Sequence, residues 1–231
     1  MNGVYIISAP SGSGKSTLVN QVRRIVPRLK FSISYTTRAP RAGEQNGREY
    51  YFVSRAEFEE MVRKGDFLEY ADVFGNYYGT ACRFLREAEQ EGKDLLLDID
   101  VQGAAQIKDR IHEAVSIFVL PPNRRELEKR LRNRSLDAEE VIQRRLITAS
   151  REIENYYKYD YILVNDRLEE SVETLESILL AERLKRSEIR EQSADDTDPT
   201  AKAECCRLSN VRERLQPILA SFAKAAAPGG G

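Results

Sequence analysis

The chain has 231 residues, of which 41% are hydrophobic and 32% charged, with 36 basic side chains against 37 acidic ones. That length suits one domain with an appendage, and the cancelled charge excludes a general nucleic-acid binder, which needs a basic excess to displace counterions. No apolar run approaches the roughly 18 residues of a membrane span, the start Met1-Asn2-Gly3-Val4 lacks a secretory signal's basic and apolar regions, and Cys82, Cys205 and Cys206 form neither a disulfide framework nor a metal spacing, so a cytoplasmic protein is expected.

The first element is an apolar strand over 4–8, followed by Ser11-Gly12-Ser13-Gly14-Lys15-Ser16-Thr17 and a helix over about 15–26. A glycine-rich turn between a buried strand and a helix aims successive backbone N–H groups inward, which makes a nest for phosphate oxygens. Lys15 then reaches the β and γ phosphates, and the Ser16 hydroxyl holds Mg²⁺. This is the Walker A arrangement with Ala9 where the first glycine stands, a change that costs little at negative φ. It implies a site for a nucleoside triphosphate.

Further on, Ser54-Arg55-Ala56-Glu57 reads as a capping box opening a helix to about residue 64. Alternating apolar residues over 67–74 predict an edge or antiparallel strand, and the period over 80–91 predicts a helix stopped by Gly92. Residues 94–99 form a buried strand ending in acids, and 115–120 another, closed by Pro121-Pro122. Asn123 caps a basic helix to about residue 134. Asp137, with Glu140 three residues on, opens a long helix towards 157, followed by a last strand over 161–164 and a helix over about 168–185. Such alternation implies a parallel sheet covered by helices on both faces, interrupted over about 32–90 by a mixed α and β insertion. Residues 187–210 read as a linker or disorder. A short helix over 211–227 is expected with Val211, Leu215, Ile218, Leu219 and Phe222 on one side, although Pro217 weakens it.

A second constellation is Ser34-Tyr35-Thr36-Thr37-Arg38-Ala39-Pro40-Arg41, followed by Gly43-Glu44 and Tyr50-Tyr51-Phe52. Arg38 and Arg41, on a loop stiffened by Pro40, can converge on one phosphate in forked geometry, and the Tyr50 hydroxyl can add a neutral donor. Together with 9–17 and the strand Leu97-Asp98-Ile99-Asp100-Val101-Gln102-Gly103, this loop resembles guanylate kinase, and the similarity runs in order from about residue 3 to 185.

The resemblance implies a P-loop NTPase fold, α/β in three layers with a parallel core sheet. It places a domain over 1–186, a GMP-binding subdomain at about 34–90, a helical lid at about 123–150 and an extension over 187–231. It further implies ATP-dependent, Mg²⁺-dependent phosphorylation of GMP, and of dGMP, by positioning and charge neutralisation. Glu69 would read the guanine N1–H and 2-amino donors, with Ser34 and Thr80 at O6; Arg38, Arg41, Tyr50 and Tyr78 would hold the GMP phosphate. Asp98 would assist Mg²⁺ through water. Asp100 reads either as a residue on the GMP side or as the cap of the following helix. Arg130, Arg134 and Arg145 would engage ATP with 11–17, and Ser135 stands where the lid commonly has glycine. Asn165-Asp166 reads equally as a turn or as the segment near adenine. A peptide-binding module and a sugar-phosphate kinase are the competing functions, a homo-oligomer stays open, and neither nucleic acid nor membrane is expected as a partner.

Overall fold

Val4–Ser8 and Val115–Leu120 are buried at every residue, as strands covered on both faces must be. The computed structural model describes residues 2–73, 75–134, 138–186 and 199–223, the side chain of Arg134 excepted. In chain order the elements are β1 (Val4–Ser8), α1 (Lys15–Ile25), β2 (Leu29–Phe31), β3 (Tyr35–Thr36), β4 (Tyr51–Phe52), α2 (Arg55–Lys64), β5 (Phe67–Val73), β6 (Asn76–Ala81) and α3 (Cys82–Gln90). They continue with β7 (Asp94–Asp98), α4 (Val101–Arg110), β8 (Val115–Leu120), α5 (Arg124–Arg134), α6 (Glu139–Ile153), β9 (Tyr161–Val164), α7 (Leu168–Arg186), α8 (Pro199–Glu204) and α9 (Leu208–Ala223). The central sheet is parallel, ordered β2-β7-β1-β8-β9, with helices on both sides; a second, mixed sheet is ordered β4-β3-β6-β5. No helix among the described residues is long and apolar enough to cross a membrane.

The chain divides into two compact units, 1–6 with 27–114 and 7–26 with 115–231. In the first, β2 pairs in parallel with β7, Leu29 opposite Asp94 and Phe31 opposite Leu96. The mixed sheet is short and aromatic. Phe58 of α2 stacks on Phe67 at 4.4 Å and on Tyr77 at 5.3 Å, so α2 closes one face of the sheet. Its start is fixed by the expected capping box: the Ser54 hydroxyl accepts from Glu57 N and the Glu57 carboxylate accepts from Ser54 N at 2.7 Å.

Two helix boundaries differ from the sequence reading. Thr80 and Ala81 belong to β6, because Glu69 pairs with Thr80 and Tyr70 with Gly79 across the sheet, so α3 starts only at Cys82. The long helix α6 stops at Ile153, where the Asn155 side chain donates to the carbonyls of Arg151 and Glu152 and a 3-10 turn follows at Tyr156–Lys158. Phe74, Ser135, Asp137 and the stretches 187–198 and 224–231 lie outside the described residues.

In the second unit Leu18, Val19 and Val22 of α1 are buried, and α1 packs on α7. The chain after 198 departs from a linker. α8 packs on α7, and α9 packs on α5, α6 and β9 with Val211, Leu215 and Phe222 buried. Ile218, expected on the same side, is only half-buried, and Pro217 is accommodated on the exposed side of the helix. Leu215 is 1% exposed, so Leu215→Ala should destabilise the protein by about 2–5 kcal/mol in a urea titration.

Candidate active site

The turn before α1 is built by two left-handed glycines, Gly12 at φ +93° and Gly14 at φ +87°. A Cβ on Gly12 would meet Leu131 Cδ2 at 2.8 Å, and one on Gly14 would meet Asn165 Nδ2 at 2.5 Å, so neither position has room for a side chain. Ala9 is outside the positive-φ set, which is why alanine is tolerated there. Ser13 N donates to the Pro10 carbonyl at 3.1 Å, and the Ser13 carbonyl accepts from Asn165 Nδ2 at 2.8 Å, which turns that carbonyl out of the nest. Arg130 Nη1 donates to the Asn165 carbonyl at 3.0 Å and lies 3.4 Å from that of Ser13, while its Nε pairs with Glu126. Arg145 Nη2 donates to the Ser11 hydroxyl at 2.8 Å. The buried Ser13 hydroxyl has no hydrogen-bond partner, Gly14 supplies no side-chain cap to α1, and the first turn carries no acid. Those are the properties of a helix start open to an anion. Ser16 and Thr17 are exposed on that turn and Lys15 is half-buried. The side chain of Arg134 lies outside the described residues.

In the other unit the basic loop forms a compact set. Arg38 Nε donates to the Tyr78 hydroxyl at 3.2 Å, its Nη2 reaches both Glu44 oxygens at 2.9 Å, and its guanidinium lies 5.4 Å from the Tyr50 ring centre. The Tyr78 oxygen accepts from Arg38, so its own proton is free to be donated elsewhere. Burial pushes the Tyr50 phenol up to about 12, with the Asp98 carboxylate adding to the rise, and it therefore remains a donor at neutral pH. Arg38 in turn holds the Glu44 carboxyl below its usual range. Arg41 is exposed; its N–H donates to Glu44 Oε2 at 2.7 Å, so the turn at Gly43 folds around that carboxylate. Ser34 is half-buried and its carbonyl accepts from Tyr51 N at 2.9 Å.

Glu69 is only 4% exposed and Thr80 is fully buried opposite it. Burial pushes the Glu69 carboxyl up to about 7. Asp100 raises it further, while Thr80 and the Arg110 guanidinium oppose the rise. Thr80 opposes the rise most, although its hydroxyl makes no hydrogen bond of good geometry. A buried hydroxyl without a partner beside a buried carboxylate is an unusual pair, and it marks a place for a ligand with both donors and an acceptor. Asp98 is half-buried at the end of β7. Asp100 does cap α4, accepting from Gly103 N at 2.8 Å, so its capping reading is realised.

A guanylate kinase family model matches residues 1–182. The guanylate kinase of Koribacter versatilis is 57% identical over 228 residues, 97% of each chain. The chain belongs to the guanylate kinase family. That of Geobacter metallireducens is 50% identical over 195 residues, 84% of this chain and 96% of its own. The crystal structure of guanylate kinase from Anaplasma phagocytophilum superimposes with a TM-score of 0.67 at 35% identity, covering 80% of this chain and 88% of that one.

For a chain of the guanylate kinase family, three side chains to which the sequence assigned no role contact the candidate site residues or the backbone beside them. Glu44 occupies Arg38, and the available signal was an acid at a glycine turn inside a basic loop. Gln106 and Arg110 bond the backbone on either side of Glu69. Their spacing from Gly103 by three and seven residues was the visible signal. In the donor turn, Gly14→Ala combines φ strain with a clash against Asn165. The single change should lower the melting temperature, and Asn165→Ala in the same chain should cost less than the sum of the two changes measured separately, a coupling of about 0.5–3 kcal/mol.

Proposed function

We propose that the protein transfers the γ-phosphoryl group of ATP to GMP or dGMP, giving ADP and GDP or dGDP, and so serves purine nucleotide metabolism. The observation that carries this reading is the buried pair Glu69 and Thr80. Guanine offers N1–H and the 2-amino group on one edge and O6 beside them. An ionised Glu69 accepts from the first two, and the hydroxyls of Ser34 and Thr80 donate to O6. Adenine presents no donor at N1 and would leave the carboxylate buried and unsatisfied, which gives strong rejection. Arg38, Arg41, Tyr50 and Tyr78 then hold the GMP phosphate, with Arg38 shared between that phosphate and Glu44. Asp100, besides capping α4, lies on the GMP side.

On the donor side the nest at 11–17 takes the ATP phosphates, Lys15 the β and γ oxygens, and Arg130, Arg134 and Arg145 the remaining charge, with Asn165 near adenine. The hydroxyl of Ser16 and the carboxylate of Asp98, the latter through water, are hard oxygen donors that suit Mg²⁺, which binds few protein ligands and keeps its water. When bound, that ion supplies positive charge at the phosphate oxygens. The acceptor phosphate, whose second pKa is about 6, is already dianionic at neutral pH, so no general base is required. The obstacle is repulsion between two anions, and Lys15 with the arginines opposes it. Exclusion of water protects ATP from hydrolysis during transfer.

The direct test is incubation with Mg-ATP and a panel of GMP, dGMP, AMP, UMP and ribose 5-phosphate. GMP and dGMP should be the only acceptors phosphorylated, each GDP or dGDP formed with one ADP; failure to phosphorylate or bind GMP overturns the reading. Arg38→Met should reduce kcat by about 100-fold or more with the melting temperature nearly unchanged. The pH dependence has a defined sign. The ionised Glu69 binds guanine, and its carboxyl lies at about 7 in the free protein. Below that pH GMP affinity should therefore fall about tenfold per unit, with Glu69→Gln showing only the shallower titration of the GMP phosphate. Because its folded pKa is raised, Glu69 favours folding most below the ordinary carboxylate range and loses that contribution as pH rises through 7. Glu69→Gln should accordingly stabilise the ligand-free protein at pH 8 by up to about 3 kcal/mol, and not at pH 4.

A further inference from the structure

Among the described residues β5 is an edge strand, with no neighbouring strand on one side of its backbone. Helix α4 packs against it and supplies side chains in place of a strand. Gln106 Nε2 donates to the Tyr70 carbonyl at 2.8 Å, and its Oε1 accepts from Tyr70 N at 3.3 Å, the same two-way exchange a backbone amide would make. Arg110 Nη1 donates to the carbonyls of Phe67 at 3.1 Å and Leu68 at 2.6 Å. These bonds bracket Glu69 on both sides, at the point where a register shift between Phe67 and Glu69 re-aims the strand.

The third contact is steric. A Cβ added to Gly103 would meet Glu69 Oε2 and come within 2.9 Å of its carboxyl carbon. Gly103 is buried in the first turn of α4, tied to Asp100 by its N–H, and its φ is not positive. The helix itself would therefore gain from alanine, the better helix former. Only the Glu69 carboxylate requires the missing side chain. Gly103, Gln106 and Arg110 are spaced by three and four, which places them on one face of the helix.

We propose that this face of α4 is the device that aims Glu69, so that guanine selectivity is set in part by residues that never touch the nucleotide. The inference rests on the reading that Glu69 recognises guanine. Gly103 leaves the space the carboxylate occupies, Gln106 and Arg110 hold the bulged strand from either side, and Arg110 additionally places a positive charge near the carboxylate. The three are positioning residues.

The test uses the full-length protein and compares Gly103→Ala, Gln106→Leu, Arg110→Met and Arg110→Lys with Glu69→Gln. KM and kcat are measured for GMP and for IMP, which lacks the 2-amino donor, together with KM for ATP and the melting temperature. Gly103→Ala should raise KM for GMP by about tenfold or more and reduce the preference for GMP over IMP, with KM for ATP unchanged and no loss of melting temperature. Gln106→Leu should act in the same direction by about threefold. Arg110→Met should move the pH midpoint of KM for GMP upward, and Arg110→Lys should restore it. If Gly103→Ala fails to fold, the Gln106→Leu and Arg110 results decide. Wild-type KM, GMP-to-IMP preference and pH midpoint in the folded α4 variants, alongside a large loss in Glu69→Gln, would overturn the inference. An unaffected Glu69→Gln would instead remove the guanine reading beneath it.

Discussion

A carboxylate taken out of water is costly unless charge and hydrogen bonds compensate it, and Glu69 is held 4% exposed with an acid, Asp100, among the charges around it. Much of the first unit follows from keeping that group in place. The aromatic stack of Phe58, Phe67 and Tyr77 fixes β5 and β6, and the cross-strand register sets Thr80 opposite Glu69. A ligand with two adjacent donors relieves the carboxylate, and one without them does not. On the proposed reading, discrimination arises from what the protein leaves unsatisfied as much as from what it offers.

The donor turn works by different means. On the proposed reading its preference for phosphate comes from backbone geometry, with two glycines in a region of φ that other residues avoid and packed so closely against Leu131 and Asn165 that no Cβ fits. Asn165 and Arg130 turn the Ser13 carbonyl away from the nest, which leaves N–H groups as the groups presented. On the proposed reading, Glu69 meets guanine through a side chain whose charge depends on pH, whereas the turn meets an anion through amides that do not titrate. The pH response of the protein should accordingly reside with the acceptor more than with the donor.

How far the sequence alone reveals these features depends on how local their causes are. The turn at 11–17 is visible because its determinants are contiguous. The capping box from Ser54 to Glu57 is four residues long and forms as read. Glu69, by contrast, sits in an apolar alternation that marks only a strand, and its assignment came from resemblance. The contacts of α4 with Tyr70 span 36 residues and leave no local trace. Thr80 was read into a helix because periodicity cannot register that β5 offers a partner strand. Residues 187–210 of the extension were read as a linker because α8 is short and polar, burying chiefly Ala203, so its hydropathy carries almost no signal.

That extension is joined to the second unit by backbone as well as side chains. Ile162 N donates to the Cys206 carbonyl at 2.8 Å and Leu208 N to that of Asp160 at 3.0 Å, so the segment between α8 and α9 covers β9, the edge of the central sheet. Arg207 bonds Glu182 and Glu204 and lies over the Tyr161 ring at 4.8 Å. At the other end of α9, the Ser221 hydroxyl accepts from Arg124 N at 3.1 Å, while the Asn123 side chain accepts from Glu126 N at 2.9 Å. Two of the N–H groups that a helix start leaves open are thereby satisfied, one of them by a residue nearly a hundred positions later. The helix so fixed is α5, whose Leu127 and Leu131 pack under Gly12 and whose Arg130 holds Ser13 and Asn165. A continuous chain of contacts therefore runs from the extension, which lies beyond the 182 residues that the family model matches, through α5 to the turn at 11–17.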